Sequence, residues 1–212
     1  MRSGGRCSTI EGVTRPSGRE TAAQPAVLRT REVRDRALFD LDDGPVTPSN
    51  RADLTATTRL LNVLLASLLV SSLQYDQHAV AVPAPSARPL ADFLRACAEH
   101  DRDSVRLLAA RIRDLGATGD HDPQHLSARS RIAFRAFPDG DVTAVVTQNL
   151  VGVRILVQTL QEAVRWVGAD DPTTRRLLER LLEDKEEQAG RLSAQAAHQQ
   201  AATAHPGARR GT

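Results

Sequence analysis

One apolar stretch limits what this chain can fold into: Leu60–His78, with the sequence LLNVLLASLLVSSLQYDQH. Leucine, valine and alanine fill most of it, and its end turns polar at Gln74, Tyr75, Asp76 and His78. Within it, the run Leu60–Leu73 is too short, and too often interrupted by asparagine and serine, to form a membrane span. A helix this apolar needs about three partner helices to bury it. The stretch therefore predicts the core helix of an all-α bundle, with no membrane partner.

The composition favours helices and a reducing compartment. Aromatic residues make up 3% of the chain, whereas strands are enriched in aromatic and β-branched side chains. The two cysteines, Cys7 and Cys97, do not amount to a disulfide framework. The N-terminal sequence MRSGGRCSTIEG lacks the apolar core of a signal peptide. We therefore expect a cytoplasmic protein.

The spacing of apolar residues, together with capping residues, indicates four long helices. A long link between the second and third of them contains a further short helix. A four-helix bundle with one long crossover between the second and third helices is the ferritin-like arrangement. The long helices are predicted at about 53–80, 88–115 and 141–167 and from 171 onward, and the link at 117–140 with its short helix inside 124–134.

The bundle is predicted to occupy residues 53–197, with different sequence on either side. Residues 1–52 are rich in Gly, Pro, Ser, Thr and Arg and are predicted to be a mostly disordered arm, with one weak helix at 27–39. Residues 198–212 are predicted to be a disordered tail.

The net charge of +2 hides a basic N-terminal arm. Residues 1–36 carry eight arginines against four acidic residues, and residues 191–212 carry three arginines and no acid. Such segments can contact an anionic polymer such as DNA, although the preference for arginine over lysine also fits a codon bias alone. The candidate DNA-binding residues are Arg2, Arg6, Arg15, Arg19, Arg29, Arg31, Arg34 and Arg36.

Three segments carry a family resemblance. Leu60–His78 resembles the first helix of bacterioferritins and of Dps proteins (DNA-protection-during-starvation proteins), Leu107–Ala117 resembles the end of the second Dps helix, and Asp170–Leu192 resembles the last helix of both. The short helix in the crossover favours Dps. The resemblance implies a homo-oligomeric cage that oxidises Fe(II) and stores ferric mineral, and Dps members often also bind DNA through charged tails.

The resemblance implies iron ligands that this chain mostly lacks. A di-iron site in such a bundle takes a Glu from each of two helices and a Glu-x-x-His motif from each of the other two, and no Glu-x-x-His occurs in the sequence. Haem is not expected either, because its ligand in bacterioferritins is a methionine and the only methionine here is Met1. The matching ligand positions hold Leu68, Asp101, Ser104, Val153, Lys185 and Gln188.

The Dps-type site between two subunits is also incomplete by this resemblance. His78 lies within one position of its first histidine, whereas Arg106 and Ala110 stand where an Asp and a Glu are expected. Ala91 lies near the position of the second histidine. His78 is therefore either a surviving iron ligand or a polar residue at a helix end or a subunit interface.

A polar cluster on the second long helix supplies the other candidate ligands. His100 and Asp103 are three residues apart and share a helical face, so together they could hold one metal ion. A solvated helix face would give the same pattern. The candidate metal ligands, with iron as the candidate metal, are His78, His100, Asp101 and Asp103.

The leading hypothesis is a Dps-like, ferritin-fold protein that forms a homo-oligomeric cage. It would act in iron storage and in DNA protection under stress, with weak or lost ferroxidase activity. The alternative is a non-enzymatic ferritin-fold scaffold or interaction protein without bound metal, which could pair with an intact paralogue in a mixed cage. A nucleoid-associated role through the arginine-rich arm is a third hypothesis.

Overall fold

All regular secondary structure in the described part of the chain is helical, which confirms the predicted all-α class. The chain divides into two units, residues 1–39 and residues 40–212. The described element of the first unit is α1 (Thr30–Phe39), which lies within the weak helix predicted at 27–39. The computed structural model describes residues 30–39, 45–47, 50–83 and 87–204.

The first two long helices are α2 (Leu54–Ala81) and α3 (Arg88–Asp114). The Asp53 side chain caps α2 by accepting a hydrogen bond of 2.9 Å from the backbone N–H of Ala56. Beyond α3, Gly116 has a φ of 82°, the left-handed conformation that commonly ends a helix. Both helices therefore begin and end close to the positions that the sequence predicts.

The crossover and the second helix pair complete the fold. The short helix α4 (Pro123–Arg129) lies in the crossover, and α5 (Val142–Val167) and α6 (Pro172–Ala204) follow it. Because α6 continues to Ala204, helix extends seven residues past the predicted end of the bundle at residue 197.

The long helices pack in two pairs, α2 with α3 and α5 with α6. Contacts of α2 with α5, and of α3 with α6, join the pairs, and α4 lies against α2. This is the predicted ferritin-like four-helix bundle with one long crossover. Leucines from the four long helices dominate the larger buried cluster, and those with 0% exposure are Leu61, Leu64, Leu65, Leu108, Leu156, Leu160 and Leu178.

The segment just before α2 also belongs to the bundle unit. Val46 packs against the main hydrophobic cluster, and the N–H of Arg51 donates to the carbonyl of Asp170 at 3.2 Å. The packed unit therefore begins earlier than the boundary predicted at residue 53, because an apolar side chain in the arm reaches the core.

By length and composition alone, α2 and α5 could each cross a membrane. The most apolar window of α2 is 56% buried in the bundle, as in a core helix, whereas that of α5 is 33% buried. Val151 and Trp166 of α5 are 47% and 52% exposed. Within the described part of the chain, these two apolar side chains of α5 are therefore only about half covered.

Polar side chains of α2 hold the crossover in place. The Ser67 hydroxyl accepts a hydrogen bond from the N–H of Arg131 at 2.9 Å, and Gln74 Oε1 accepts one from the N–H of Arg135 at 2.9 Å. An extended segment cannot satisfy its backbone groups internally, so these side chains replace the missing partners. Ser67 and Gln74, two of the polar residues that interrupt the apolar stretch, thus position the crossover.

Candidate metal centre

Near the middle of the bundle, the buried faces of α3 and α6 each carry a pair of polar residues. Asp101 and Ser104 lie three residues apart on α3, and Lys185 and Gln188 lie three residues apart on α6. All four side chains are buried. Residues three apart share a helical face. Each pair also occupies the two positions at which the resemblance implies a Glu-x-x-His motif.

An ion pair joins these two helices inside the bundle. The Lys185 ammonium contacts Asp101 Oδ1 and donates a hydrogen bond of 2.8 Å to Gln188 Oε1. Lys185 and Asp101 are both 0% exposed, so neither charge reaches water. A buried charge is tolerated only when an opposite charge and hydrogen bonds compensate it. This pair uses the single lysine of the chain.

These residues do not fit a di-iron centre, which needs carboxylates and imidazoles from several helices. A protonated ammonium has no lone pair, and the Ser104 hydroxyl donates to the carbonyl of His100 at 3.0 Å. Leu68 and Val153, at the remaining two ligand positions, are apolar and each 1% exposed. Of the six positions that match di-iron ligands, only two then hold a metal-binding group, which are the carboxylate of Asp101 and the amide of Gln188.

Two other titratable groups beside the ion pair remain protonated. Burial, reinforced by the charge of Asp101, raises the pKa of Tyr75 well above its ordinary value. The same two causes raise the pKa of the Cys97 thiol to about 12. Both side chains are therefore uncharged at neutral pH and add no negative charge to the interior.

His78 is buried and has protein partners at both ring nitrogens. Nε2 lies 2.7 Å from the carbonyl oxygen of Arg135, and Nδ1 lies 2.9 Å from Asn149 Nδ2. The ring also packs against Phe137, with 5.4 Å between centroids. Burial lowers the pKa of His78 despite these hydrogen bonds, so the ring is neutral near pH 7. In this geometry His78 fastens the crossover to α2 and offers no free nitrogen to a metal.

The other predicted ligands on α3 have separate partners. His100 Nε2 lies 3.1 Å from Asp184 Oδ2 of α6, whereas Asp103 pairs with Arg106 one turn along its own helix. The four candidates His78, His100, Asp101 and Asp103 are therefore not brought together as one ligand set, and each of them has another protein partner. Within the described ranges, no three His, Cys, Asp or Glu side chains are grouped so that they could hold a metal.

The candidate DNA-binding residues lie at the edge of what the structure describes. Arg31, Arg34 and Arg36 belong to α1, where Arg31 and Arg34 are exposed and Arg31 Nε lies 3.9 Å from Asp35 Oδ2. The remaining candidates, which lie outside the described residues, are Arg2, Arg6, Arg15, Arg19 and Arg29.

The sequence contains a signal for the buried Asp101–Lys185 pair that is separate from the positions of the di-iron ligands. Leu178, Leu181, Lys185, Gln188 and Leu192 follow one another at steps of three and four, which is the spacing of a single buried helical face. The side chains of all five are buried or nearly so. Helical periodicity alone therefore predicts a buried lysine on α6, and a buried lysine requires an acidic partner.

A model of the ferritin-like domain family matches residues 58–201. Among solved structures, the chain resembles a dodecameric thioferritin, the bacterioferritin-related protein from Bacteroides fragilis, at 21% identity and a TM-score of 0.69. That match covers 75% of this chain and 94% of the other. A comparison with curated proteins found no significant match.

Two Dps structures show the same fold. One is the Dps protein from Vibrio cholerae O1, described as a member of a broad superfamily of ferritin-like diiron-carboxylate proteins. It is 18% identical with a TM-score of 0.63, and the match covers 66% of this chain and 89% of that protein. DpsA14 from Streptomyces coelicolor is 22% identical with a TM-score of 0.63, covering 67% and 84%. At these identities the likeness concerns the fold.

Proposed function

Because the chain belongs to the ferritin-like domain family, we propose that it is a Dps-like protein of iron storage and DNA protection under stress, with weak or no ferroxidase activity of its own. The observation that carries the proposal is the buried Asp101–Lys185 pair inside a ferritin-like bundle. The fold is that of iron-storing proteins, whereas the bundle interior lacks the ligands that iron oxidation requires.

Iron handling is tested by adding Fe(II) in air to the purified full-length protein. The oxidation rate is compared with a protein-free solution, and the iron that co-elutes with the protein is measured on a sizing column. We expect little rate gain, with iron accumulating in the oligomer as ferric mineral. Oxidation well above the uncatalysed rate would contradict the assignment of weak or no ferroxidase activity.

Self-assembly into a homo-oligomeric cage is part of this proposal. It is supported by exposed apolar side chains of α5, Val151 and Trp166, which the residues described by the structure leave about half uncovered. Large exposed apolar surfaces commonly mark contacts with another protein. A clean monomer or dimer in light scattering, without bound iron, would instead favour the scaffold alternative, in which the chain pairs with an intact paralogue.

DNA protection is proposed through the arginine-rich arm in a cytoplasmic, nucleoid-associated setting. The support is the excess of eight arginines over four acidic residues in residues 1–36. Deletion of residues 1–36 should weaken DNA binding and reduce its dependence on salt, since fewer phosphates are then neutralised. Deletion of residues 205–212, which removes two arginines, is the control and should have a smaller effect. Unchanged binding after the first deletion would contradict the role of the arm.

A further inference from the structure

We propose that the ammonium group of Lys185 takes the place of a metal cation in the bundle interior and keeps divalent metal out of it. The inference rests on the part of the proposed function that assigns little or no iron oxidation to this interior. It is independent of iron storage by an assembled cage and of DNA binding.

The contacts of Lys185 are those that a bound cation would make. A metal ion in a helical bundle joins oxygen ligands from facing helices around one positive charge. Lys185 Nζ contacts Asp101 Oδ1 on α3 and donates to Gln188 Oε1 on α6 at 2.8 Å. The ammonium therefore links the two helices, as a metal would, and needs no ligand from α2 or α5.

The charges of the interior leave no attraction for a second cation. Asp101 and Lys185 cancel each other, and the side chains at the other ligand positions, including Leu68 and Val153, are uncharged. A divalent ion that approached Asp101 would meet the ammonium at the same carboxylate. Because Asp101 and Lys185 are 0% exposed, water does not screen that repulsion.

Asp101 nevertheless keeps a capacity to coordinate. Its Oδ2 atom is buried and has no hydrogen-bond partner within the described residues. Replacement of the ammonium by a carboxylate would place two acidic groups opposite each other, with the Gln188 amide beside them. Two carboxylates and an amide oxygen form a donor set that suits Mn²⁺, so one substitution should convert the pair into a metal-dependent contact.

The test compares full-length wild type, Lys185→Glu and the uncharged control Lys185→Met. Thermal unfolding is followed in EDTA and in Mn²⁺, and bound Mn²⁺ is counted by equilibrium dialysis. We expect the wild type to unfold at the same temperature in both. Lys185→Glu should unfold at a lower temperature than the wild type in EDTA and recover in Mn²⁺. When free Mn²⁺ is at a hundred times its dissociation constant, the folding equilibrium constant of this variant should rise about 100-fold. Lys185→Met should be destabilised in both solutions.

Three results would overturn the proposal. The first is wild-type binding of Mn²⁺ that raises its unfolding temperature and is lost in Asp101→Asn, because the ammonium then excludes nothing. The second is equal behaviour of Lys185→Glu and Lys185→Met in Mn²⁺. The third is failure of Lys185→Glu to fold even when it is refolded with Mn²⁺. Rapid Fe(II) oxidation by a wild type whose unfolding temperature does not change with Mn²⁺ would instead contradict the proposed function. It would leave this inference standing.

Discussion

Gln74 and His78 lie one turn apart on α2 and bind both backbone groups of the same crossover residue, Arg135. Gln74 Oε1 accepts from its N–H at 2.9 Å, and His78 Nε2 lies 2.7 Å from its carbonyl oxygen. Asn149 of α5 connects the two side chains, because Nδ2 donates to His78 Nδ1 at 2.9 Å and Oδ1 accepts from Gln74 Nε2 at 3.3 Å. The network requires a neutral His78 that donates from Nε2.

Acidification is expected to destabilise the fold through His78. Burial lowers the pKa of His78 below its ordinary value of 6.5, against the hydrogen bonds from its neighbours. The unfolded chain therefore takes up the proton first, so the free energy of unfolding falls as pH drops below about 6.5 and levels off below the folded-state pKa. Urea unfolding between about pH 7.5 and pH 5 measures this slope.

Two substitutions isolate the contribution of His78. His78→Gln removes the titrating ring and should flatten the slope, at a cost of about 1–3 kcal/mol near pH 7 from the disturbed buried hydrogen bonds. His198→Gln changes an exposed histidine of α6 and should keep the wild-type slope. A slope in His78→Gln as steep as that of the wild type would assign the pH dependence to another group.

Asp171 is expected to stabilise the N-terminal end of α6 by capping the helix and by pairing with Arg111. Both carboxylate oxygens lie 2.9 Å from Arg111 Nη2, and Oδ1 accepts from the N–H of Thr174 at 3.0 Å. Burial would raise the pKa of Asp171, but the hydrogen bonds from Thr174 and the charge of Arg111 outweigh it, and the net pKa lies below 3.8. This stabilisation is therefore complete above about pH 4 and is lost as pH falls through the folded-state pKa.

Replacement of the Asp171 carboxylate leaves the Arg111 guanidinium buried without its counter-charge. Asp171→Asn should lower the free energy of unfolding by about 3–5 kcal/mol at pH 7, and the difference from wild type should shrink at acid pH. Asp170→Asn, at the exposed neighbouring position, is the control and should change stability by less than about 0.5 kcal/mol. Equal urea midpoints for the two variants would show that the buried pair contributes little.

Local signals predicted the helices, whereas the interior pair depends on tertiary packing. Asp53 and Gly116 act on the backbone within a few residues of themselves, so helix ends can be read from the sequence. Asp101 and Lys185 are 84 residues apart, and their contact depends on the axial offset and rotation of α3 against α6. Helical spacing places each on a buried face, but it does not show that they meet. The hydrogen bonds of His78 likewise come from segments far along the chain.

Gly140 is expected to tolerate no side chain. Its φ is +65°, and a Cβ there would lie 2.2 Å from the carbonyl oxygen of Ala81 at the end of α2. Gly140→Ala must move the crossover away from α2, so it should cost about 1–3 kcal/mol in urea unfolding. Gly190→Ala, inside α6 with nothing within 4 Å of the added Cβ, should instead stabilise by about 0.5–1 kcal/mol. If the two Gly→Ala substitutions change the free energy of unfolding in opposite directions, the loss at Gly140 comes from the constraint on its backbone and not from a general effect of alanine.

Trp166 provides the sharpest test of self-assembly. It is 52% exposed on α5 and lines a groove of about 410 Å³ together with Leu60 of α2 and Ile155 of α5. If a second copy covers this surface, Trp166→Glu forces an unpaired carboxylate into a desolvated contact. We expect this variant to give smaller species in multi-angle light scattering while its helical circular dichroism stays that of the wild type.

The control for this prediction is Arg165→Glu, which introduces the same carboxylate at the adjacent exposed position of α5. Residues one apart on a helix point about 100° away from each other, so a contact centred on Trp166 should be affected much less by Arg165→Glu. Loss of assembly in both variants would indicate a general charge effect. A wild-type mass for Trp166→Glu would mean that the cage does not use this face of α5, and the groove beside Trp166 would then have no part in assembly.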